Sequence, residues 1–436
     1  MVKIASRMSI TPFGSGGPDG LAAAGVPCEH IRGVPDMRRF IAAVAAACAL
    51  AAAVPAAFAS SFSAQSANFA DTTAGIHLWA PIHEPGGRFA SQADAVAAAR
   101  RYDLITIRIG QLGTYTAAMR AANPKLRIYV YINGTYLYKA NRSQVSASIL
   151  AHTSAGALIQ SNGFGNYLGT PSNTGWTAYK QKECQSAIAA TGADGCYLDM
   201  LGSAPTMPGY NTGVPVNPAT GRAWTKSEWL HATAALAGKV SAYVGKPVLG
   251  NGFGNGPRYF DGTAPSRMLL TGAVGSTAEA WLKAPAASAT GYEAESLWKK
   301  DVDLLGDANA AGGVALTMTK TWAGGTAAQK EAYRLYALAS FLLGNAGHSY
   351  FYFSANTPDK ATVDSPLYHL ALGSPTGLYT HTAGVYQRAF SNGRVVVNPS
   401  TTTVRLALGA AYRTPSGASV TSVTLAPHTA QILTLG

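Results

Sequence analysis

Charge is the first shortage. Asp, Glu, Lys and Arg make up 12% of the 436 residues, about half the roughly 25% usual in soluble domains. Acidic residues are the scarcest, 21 against 33 basic, for a net charge of +12. With 47% apolar residues, the chain still has the means to bury a core, and disorder is excluded. Cysteine is nearly absent: the four are Cys28, Cys48, Cys184 and Cys196, which excludes a disulfide-dense scaffold, and the two beyond residue 59, Cys184 and Cys196, are too few for a structural zinc site. There is no G-x-S-x-G elbow, no Walker A loop, no H-E-x-x-H and no G-x-G-x-x-G, which removes the sequence grounds for serine esterases, P-loop enzymes, zincins and dinucleotide binders. Asp301-Val302-Asp303 begins like a calcium loop, but Gly312 stands where its bidentate Glu would be. Lysines and arginines are dispersed, which argues against nucleic acid, and no segment has about 18 uninterrupted apolar residues to span a membrane.

What is present starts with a leader. Met37-Arg38-Arg39 is a charged start, Phe40–Ala53 an alanine-rich apolar stretch and Ala57-Phe58-Ala59 an A-x-A cleavage site. Residues 37–59 are expected to be a secretory signal peptide cut before Ser60, so the protein is expected to be extracellular. Residues 1–36 lack clear periodicity and are read as an over-long start assignment, and 60–73 as a linker. From Ser60 onward the chain carries 28 basic and 18 acidic residues, a net +10. Such a surface is soluble and attracts anionic polymers.

Strand-like runs then alternate with helical ones. The strands are expected at Gly75–Pro81, Leu104–Gly110, Arg127–Gly134, Gly195–Leu201, Lys246–Phe253, Ala273–Leu282, Gly313–Thr319 and Ser349–Ser354. Helical spacing falls at Ser91–Arg101, Thr177–Thr191, Ser227–Val244, Ser296–Ala311 and Thr326–Gly344. Eight strand–helix units predict an α/β fold, a (β/α)8 TIM barrel over residues 74–366. Beyond it the runs become short and alternating, with Asn392-Gly393 as a hairpin turn. They predict a small C-terminal antiparallel, β-sandwich-like domain over 377–436.

A barrel of this type builds its site at the carboxyl ends of its strands. Few carboxylates fall there. Asp199 lies among apolar neighbours in Tyr197-Leu198-Asp199-Met200-Leu201, where a carboxylate is costly unless paired or used. Alternation puts Tyr197 and Asp199 toward the axis and Cys196 toward the helices. A disulfide from Cys184 in the preceding helix is therefore expected, export supplying the oxidising compartment. Glu279 lies near the end of strand 6, in Thr277-Ala278-Glu279-Ala280-Trp281, and Glu84 follows strand 1. Two carboxyl groups at one mouth suit glycosidic bond hydrolysis. Further strand-end residues expected to bind substrate are His77, Trp79, Arg108, Tyr131, Asn133, Asn251 and Lys320, with Trp281 as a sugar-stacking face. Loop aromatics such as Tyr138, Phe164 and Trp322 suggest an open cleft for a polysaccharide or oligosaccharide. His77, His83 and Glu84 lack a third convergent ligand, so neither metal nor other cofactor is expected.

Gly192-Ala193-Asp194-Gly195-Cys196-Tyr197-Leu198-Asp199, Thr277–Trp281 and Val385–Phe390 with Asn392-Gly393 and Val395–Pro399 resemble motifs of secreted glycoside-hydrolase-like (β/α)8 proteins. More distantly they are similar to the endo-α-1,4-polygalactosaminidase group, glycoside hydrolase family 114. The resemblance implies that Asp199 and Glu279 are the catalytic pair, with the strand 4 Asp as nucleophile and the strand 6 Glu as acid/base. An acid in that role must keep its proton near neutral pH, so Glu279 is expected to have a raised pKa. The chain departs from the pattern where Gly275, Ser276 and Thr277 replace an apolar run. The expected activity is therefore that of a secreted glycoside hydrolase. The alternative is a non-catalytic glycan-binding barrel of the cell surface or wall, which would keep the cleft and use Asp199 structurally.

Overall fold

The computed structural model describes residues 69, 71–83, 89–284, 287–356 and 364–436. The expected leader at 37–59, residues 1–36 and Glu84 lie outside the described residues. Eight parallel strands form one sheet in sequential order: β1 (Trp79–Pro81), β2 (Leu104–Ile107), β3 (Arg127–Asn133), β4 (Gly195–Asp199), β5 (Val248–Asn251), β6 (Gly275–Ala278), β7 (Val314–Lys320) and β8 (Ser349–Ser354). A parallel bridge from Leu78 to Phe351, with the Phe351 amide donating to the His77 carbonyl at 2.9 Å, joins the last strand to the first and closes the barrel.

The helices lie at α1 (Gln92–Arg101), α2 (Ile109–Ala122), α3 (Thr174–Thr191), α4 (Lys226–Val244), α5 (Glu295–Ala310) and α6 (Ala327–Gly344). Their starts are chemically marked. Asn173 caps α3, and capping boxes from Thr225 with Glu228 and Thr326 with Gln329 begin α4 and α6. Between β5 and β6 only a short Gly256–Tyr259 helix and a 3-10 turn at Ser266–Thr271 stand in for a full helix. Helix α2 has no counterpart among the segments read as helical from sequence.

Alternation along the strands sorts two cores. Trp79, Leu104, Tyr129, Tyr197, Leu249, Leu316, Met318 and Tyr350 fill the barrel, while Ile105, Val130, Cys196, Leu198, Val248, Ala315 and Phe351 face the helices. The low strand propensity of β6 has a steric cause. A Cβ on Gly275 would meet the Val314 carbonyl oxygen at 2.2 Å, so the close approach of β6 to β7 requires glycine there. Cys184 of α3 and Cys196 of β4, both fully buried, form a disulfide with a Cα separation of 6.1 Å.

An antiparallel six-stranded sheet follows: β9 (Thr380–Thr382), β10 (Val385–Phe390), β11 (Gly393–Asn398), β12 (Val404–Arg413), β13 (Ser419–Leu425) and β14 (Thr429–Leu435), in the order β9-β10-β11-β14-β12-β13. One face of β10, β11 and β14 adds Tyr386, Phe390, Val395, Val397 and Ile432 to the barrel's outer core. The opposite face packs Val385, Val396 and Leu433 on Leu406, Leu408, Val423 and Leu425 of the outer strands. A register irregularity in β12 between Ala407 and Tyr412 lets the sheet bend over that second core.

Arg388, from the resemblance motif, explains part of the docking. It is buried and donates through Nη1 to the carbonyls of Leu342 at 2.9 Å, Leu343 at 3.1 Å and Asn345 at 2.5 Å. A guanidinium here satisfies the orphan carbonyls ending α6 and meets the negative end of its dipole. Burial pulls its pKa down to about 10.

Candidate active site

The carboxyl ends of β3 to β7 bring together Tyr131, Asp199, Asn251, Glu279 and Lys320. Each is at an inward position on or just past its strand. Asn251 is the bridge: its Nδ2 donates to Asp199 Oδ1 at 3.0 Å and to Glu279 Oε2 at 2.9 Å. Tyr131 Oη donates to Asp199 Oδ2 at 2.6 Å, and the Met200 amide donates to Asp199 Oδ1 at 2.8 Å. Met200 has φ of 64°, in the left-handed region. That conformation costs a non-glycine residue energy and is most often stored at functional sites. On the other oxygen of Glu279, Oε1, Lys320 Nζ donates at 2.9 Å.

The two carboxyl groups sit in different fields. Burial pushes the pKa of Asp199 upward, the Glu279 charge adds to it, and its three donors only partly offset them. Burial also acts upward on Glu279, but the Lys320 ammonium, Asn251 and His83 together outweigh it and hold the group below its ordinary value. The Lys320 side chain is 3% exposed and Glu279 is 40% exposed. The buried ammonium needs that ionised partner. The expectation of a raised pKa at Glu279 is thereby corrected: the proton-favouring member is Asp199.

His83, weighed from sequence only as part of a metal set, belongs to this site. It stacks on Tyr131 at 4.6 Å and lies 5.0 Å from the Tyr197 ring, with Nδ1 2.8 Å from Thr106 Oγ1. Burial, with the charges of Arg108 and Lys320, pulls its pKa down to about 3 despite Glu279. It is a neutral imidazole in the floor of the mouth. Arg108 donates from Nε to the His83 carbonyl at 2.9 Å, and its guanidinium lies 5.3 Å from the Tyr131 ring centroid. Glu279 and Asn251 open onto a cavity of about 390 Å³, also lined by Met200, Met207, Tyr210, Lys226, Arg258 and Asp261. Among the described residues no three His, Cys, Asp or Glu side chains are grouped to hold a metal.

Four residues expected to bind substrate do not present their side chains to the mouth. His77 precedes β1, which begins at Trp79, and so lies at the opposite end of the barrel. Its ring contacts the Ala74 carbonyl at 3.0 Å and Asp103 at 3.2 Å. Trp79 is fully buried in the barrel interior, with Nε1 donating to the Thr317 carbonyl at 2.8 Å. Asn133 is at the right end but turned into the backbone. Its Oδ1 accepts from the Tyr136 amide at 2.8 Å and the Thr135 amide at 3.3 Å, shaping the loop after β3. Trp281 is fully buried in the helix layer, packed edge-on against Phe341 and Phe351, and donates Nε1 to the Asp301 carbonyl at 2.8 Å. The aromatic loops divide likewise: Trp176, Phe253 and Tyr259 are core, while Phe164 is 77% and Tyr138 38% exposed.

Lys226 and Arg258 were missed from sequence because they lie at the start of α4 and in the short helix after β5, away from strand ends. Their position in the cavity follows from the short Gly256–Tyr259 helix and the start of α4, which no strand-end pattern indicates.

Among solved structures similar to the chain is an α-amylase from Anoxybacillus, with 12% identity and a TM-score of 0.48 over 83% of this chain and 98% of that one. An α-amylase from Malbranchea cinnamomea is similar at 10% identity and TM-score 0.49, covering 83% and 96%. A maltogenic α-amylase from Thermotoga neapolitana follows at 7% and 0.49, covering 83% and 98%. No curated protein matches the chain. The family model described as hypothetical glycosyl hydrolase family 15 matches residues 120–394, a span that runs from the end of α2 through Asp199 and Glu279 into β11. By that match the chain belongs to hypothetical glycosyl hydrolase family 15.

Proposed function

We propose that this protein is an exported glycoside hydrolase that cleaves a polysaccharide with Asp199 and Glu279, without a cofactor. The observation that carries the reading is the Asn251 bridge between two carboxyl groups in unequal fields. The two hydrogens of one amide NH2 diverge by about 120°, and bonds aligned with them would set the bridged oxygens about 5 Å apart. Retaining glycosidases hold their carboxyls at roughly 5–5.5 Å, and inverting ones at roughly 6.5–9.5 Å. We therefore favour retention.

In a retaining cycle the ionised carboxylate attacks the anomeric carbon while the second group protonates the departing oxygen. Water, deprotonated by that second group, then releases the glycosyl ester. The resting charges give the first role to Glu279, ionised beside Lys320, and the second to Asp199, which burial keeps nearer to protonation. The reverse order, which the family resemblance implies, has its own support: Asp199 is held by three donors and Glu279 faces the cavity. Export fits the disulfide between Cys184 and Cys196.

The test is reducing-end release from neutral, acidic and amino polysaccharides by the protein from Ser60 onward. Release that falls by several orders of magnitude in both Asp199→Asn and Glu279→Gln supports the pair. No release from any polymer, with glycan binding intact, would make the protein a binding barrel. Azide orders the roles: it restores turnover with a glycosyl azide of retained configuration in the acid/base variant and of inverted configuration in the nucleophile variant. We expect inversion with Glu279→Gly; inversion with Asp199→Gly would establish the reverse order.

A further inference from the structure

Among the described residues, the cations of the mouth outnumber what its carboxylates neutralise. Lys320 is matched by Glu279. Asp261, fixed by the amides of Thr263 and Ala264, lies in the field of Lys226. Arg108 and Arg258 remain. Both are exposed, and neither has a carboxylate partner within ion-pair distance among the described residues. They are not loosely placed. Arg108 is held by the His83 carbonyl and lies over Tyr131, whose hydroxyl binds Asp199. Arg258 runs along Gly254 so closely that a Cβ there would meet its Cδ at 2.8 Å, and it lines the cavity of Glu279. One guanidinium thus stands on the Asp199 side of the carboxyl pair and one on the Glu279 side, each with its fork of donors unused by any carboxylate among the described residues.

We infer that the barrel mouth takes an anionic glycan, with Arg108 and Arg258 binding carboxylate or sulfate groups of sugars on either side of the cleaved bond. The inference rests on the hydrolase reading for the position of that bond. A guanidinium binds either oxyanion through two parallel N–H···O bonds, which a neutral hydroxyl cannot reproduce. The net +10 of the chain from Ser60 steers such polymers toward the mouth and weakens with salt.

Binding is measured with the full chain carrying Glu279→Gln, which stops turnover, by affinity electrophoresis and calorimetry. The probes are polygalacturonate, dextran sulfate, dextran and partly deacetylated chitosan. Polygalacturonate or dextran sulfate is expected to bind at least about tenfold more tightly than dextran at low salt, with the preference shrinking at high salt. Which of the two wins identifies the oxyanion. Arg108→Gln with Arg258→Gln is expected to remove about tenfold or more of that affinity and to leave dextran binding within about twofold. Thermal melting of each variant confirms folding. Equal affinity for dextran, or a preference that survives loss of both arginines, overturns the inference. If the unsubstituted protein releases reducing ends from dextran alone, the hydrolase reading stands and this inference falls. If it releases none, yet binds polyanions through the two arginines, the inference survives as a binding specificity and the hydrolase reading falls.

Discussion

Two pairs of carboxyl groups flank β6, and they have opposite fates. Asp199 and Glu279 meet at the mouth, bridged by Asn251, with a lysine on one side and a cavity on the other. Asp301 and Glu293 meet behind the same strand, sealed in the helix layer. Asp301 is fully buried and accepts from the Gly256 amide at 2.5 Å and the Leu282 amide at 2.9 Å. Leu282 itself is in the left-handed region, with φ of 60°. Asp301 thereby ties down the loops that follow both Asn251 and Glu279. Burial and the mutual repulsion of the pair push Asp301 well above its ordinary value, and burial pushes Glu293 up too, so the pair holds a proton rather than two charges. Both pairs are close and partly desolvated. What separates them is access and a direct ion pair: the mouth pair has Lys320 bonded to Glu279 and space for a ligand, while the sealed pair has backbone amides and only the more distant field of Lys283 on Glu293.

The comparison breaks most visibly in activity. Glu279→Gln is expected to cut turnover by about four orders of magnitude or more, with its loss of melting temperature limited to the cost of leaving the buried Lys320 ammonium without an ionised partner. Rate assays and thermal melts on one preparation check both. Asp301→Ala is expected to behave the other way. Two buried amides lose their acceptor, costing about 2–4 kcal/mol in urea unfolding, with turnover impaired only in proportion to loop displacement. If Asp301→Ala proved as inactive as Glu279→Gln while remaining fully stable, the division between the pairs would fail.

Smaller effects sharpen the same contrast. Lys320→Met removes the charge that holds Glu279 down. The acid limb of the kcat/KM profile is expected to move to higher pH; an unmoved limb would mean that another group controls it. In the sealed pair the sign is reversed. The folded state binds the proton more tightly than the unfolded chain, so stability is full below the unfolded carboxyl pKa of about 4 and is lost as pH rises through the raised folded value. Glu293→Gln keeps a neutral side chain at all pH. It is expected to match the parent near pH 4 and to melt roughly 1–3 °C higher near pH 8. A difference that did not grow with pH would contradict a shared proton.

How far the sequence disclosed this depends on the feature. Alternation around Tyr197 and Asp199 assigned the inward face of β4, and with it both the mouth position of Asp199 and the outward cysteine that meets Cys184. The same alternation could not give depth along a strand. Trp79 and Tyr131 both point inward, yet only Tyr131 is high enough to meet Asp199. His77 was placed at a strand end because the apolar run Gly75–Pro81 is longer than the paired segment Trp79–Pro81. Helix α2 escaped notice because Gly110, Gly113 and Thr116 interrupt its apolar spacing, and packing against α1 and α3 supplies what propensity lacks. Trp281 lies only two residues beyond Glu279, but the chain leaves β6 at Ala278 and turns the indole back under Asp301. The sealed pair was invisible for a related reason. Glu293 and Asp301 are eight residues apart across the start of a helix, and only the folded loop after β6 brings them together.

The central claim is that the open pair hydrolyses a glycosidic bond. The most direct measurement is mass spectrometry of oligosaccharides released from a polymer in heavy-oxygen water, with Glu279→Gln alongside. The account predicts fragments carrying one solvent oxygen at each new reducing end from the parent, and none above background from the variant. Fragments without solvent oxygen, or equal labelling by both proteins, would contradict it.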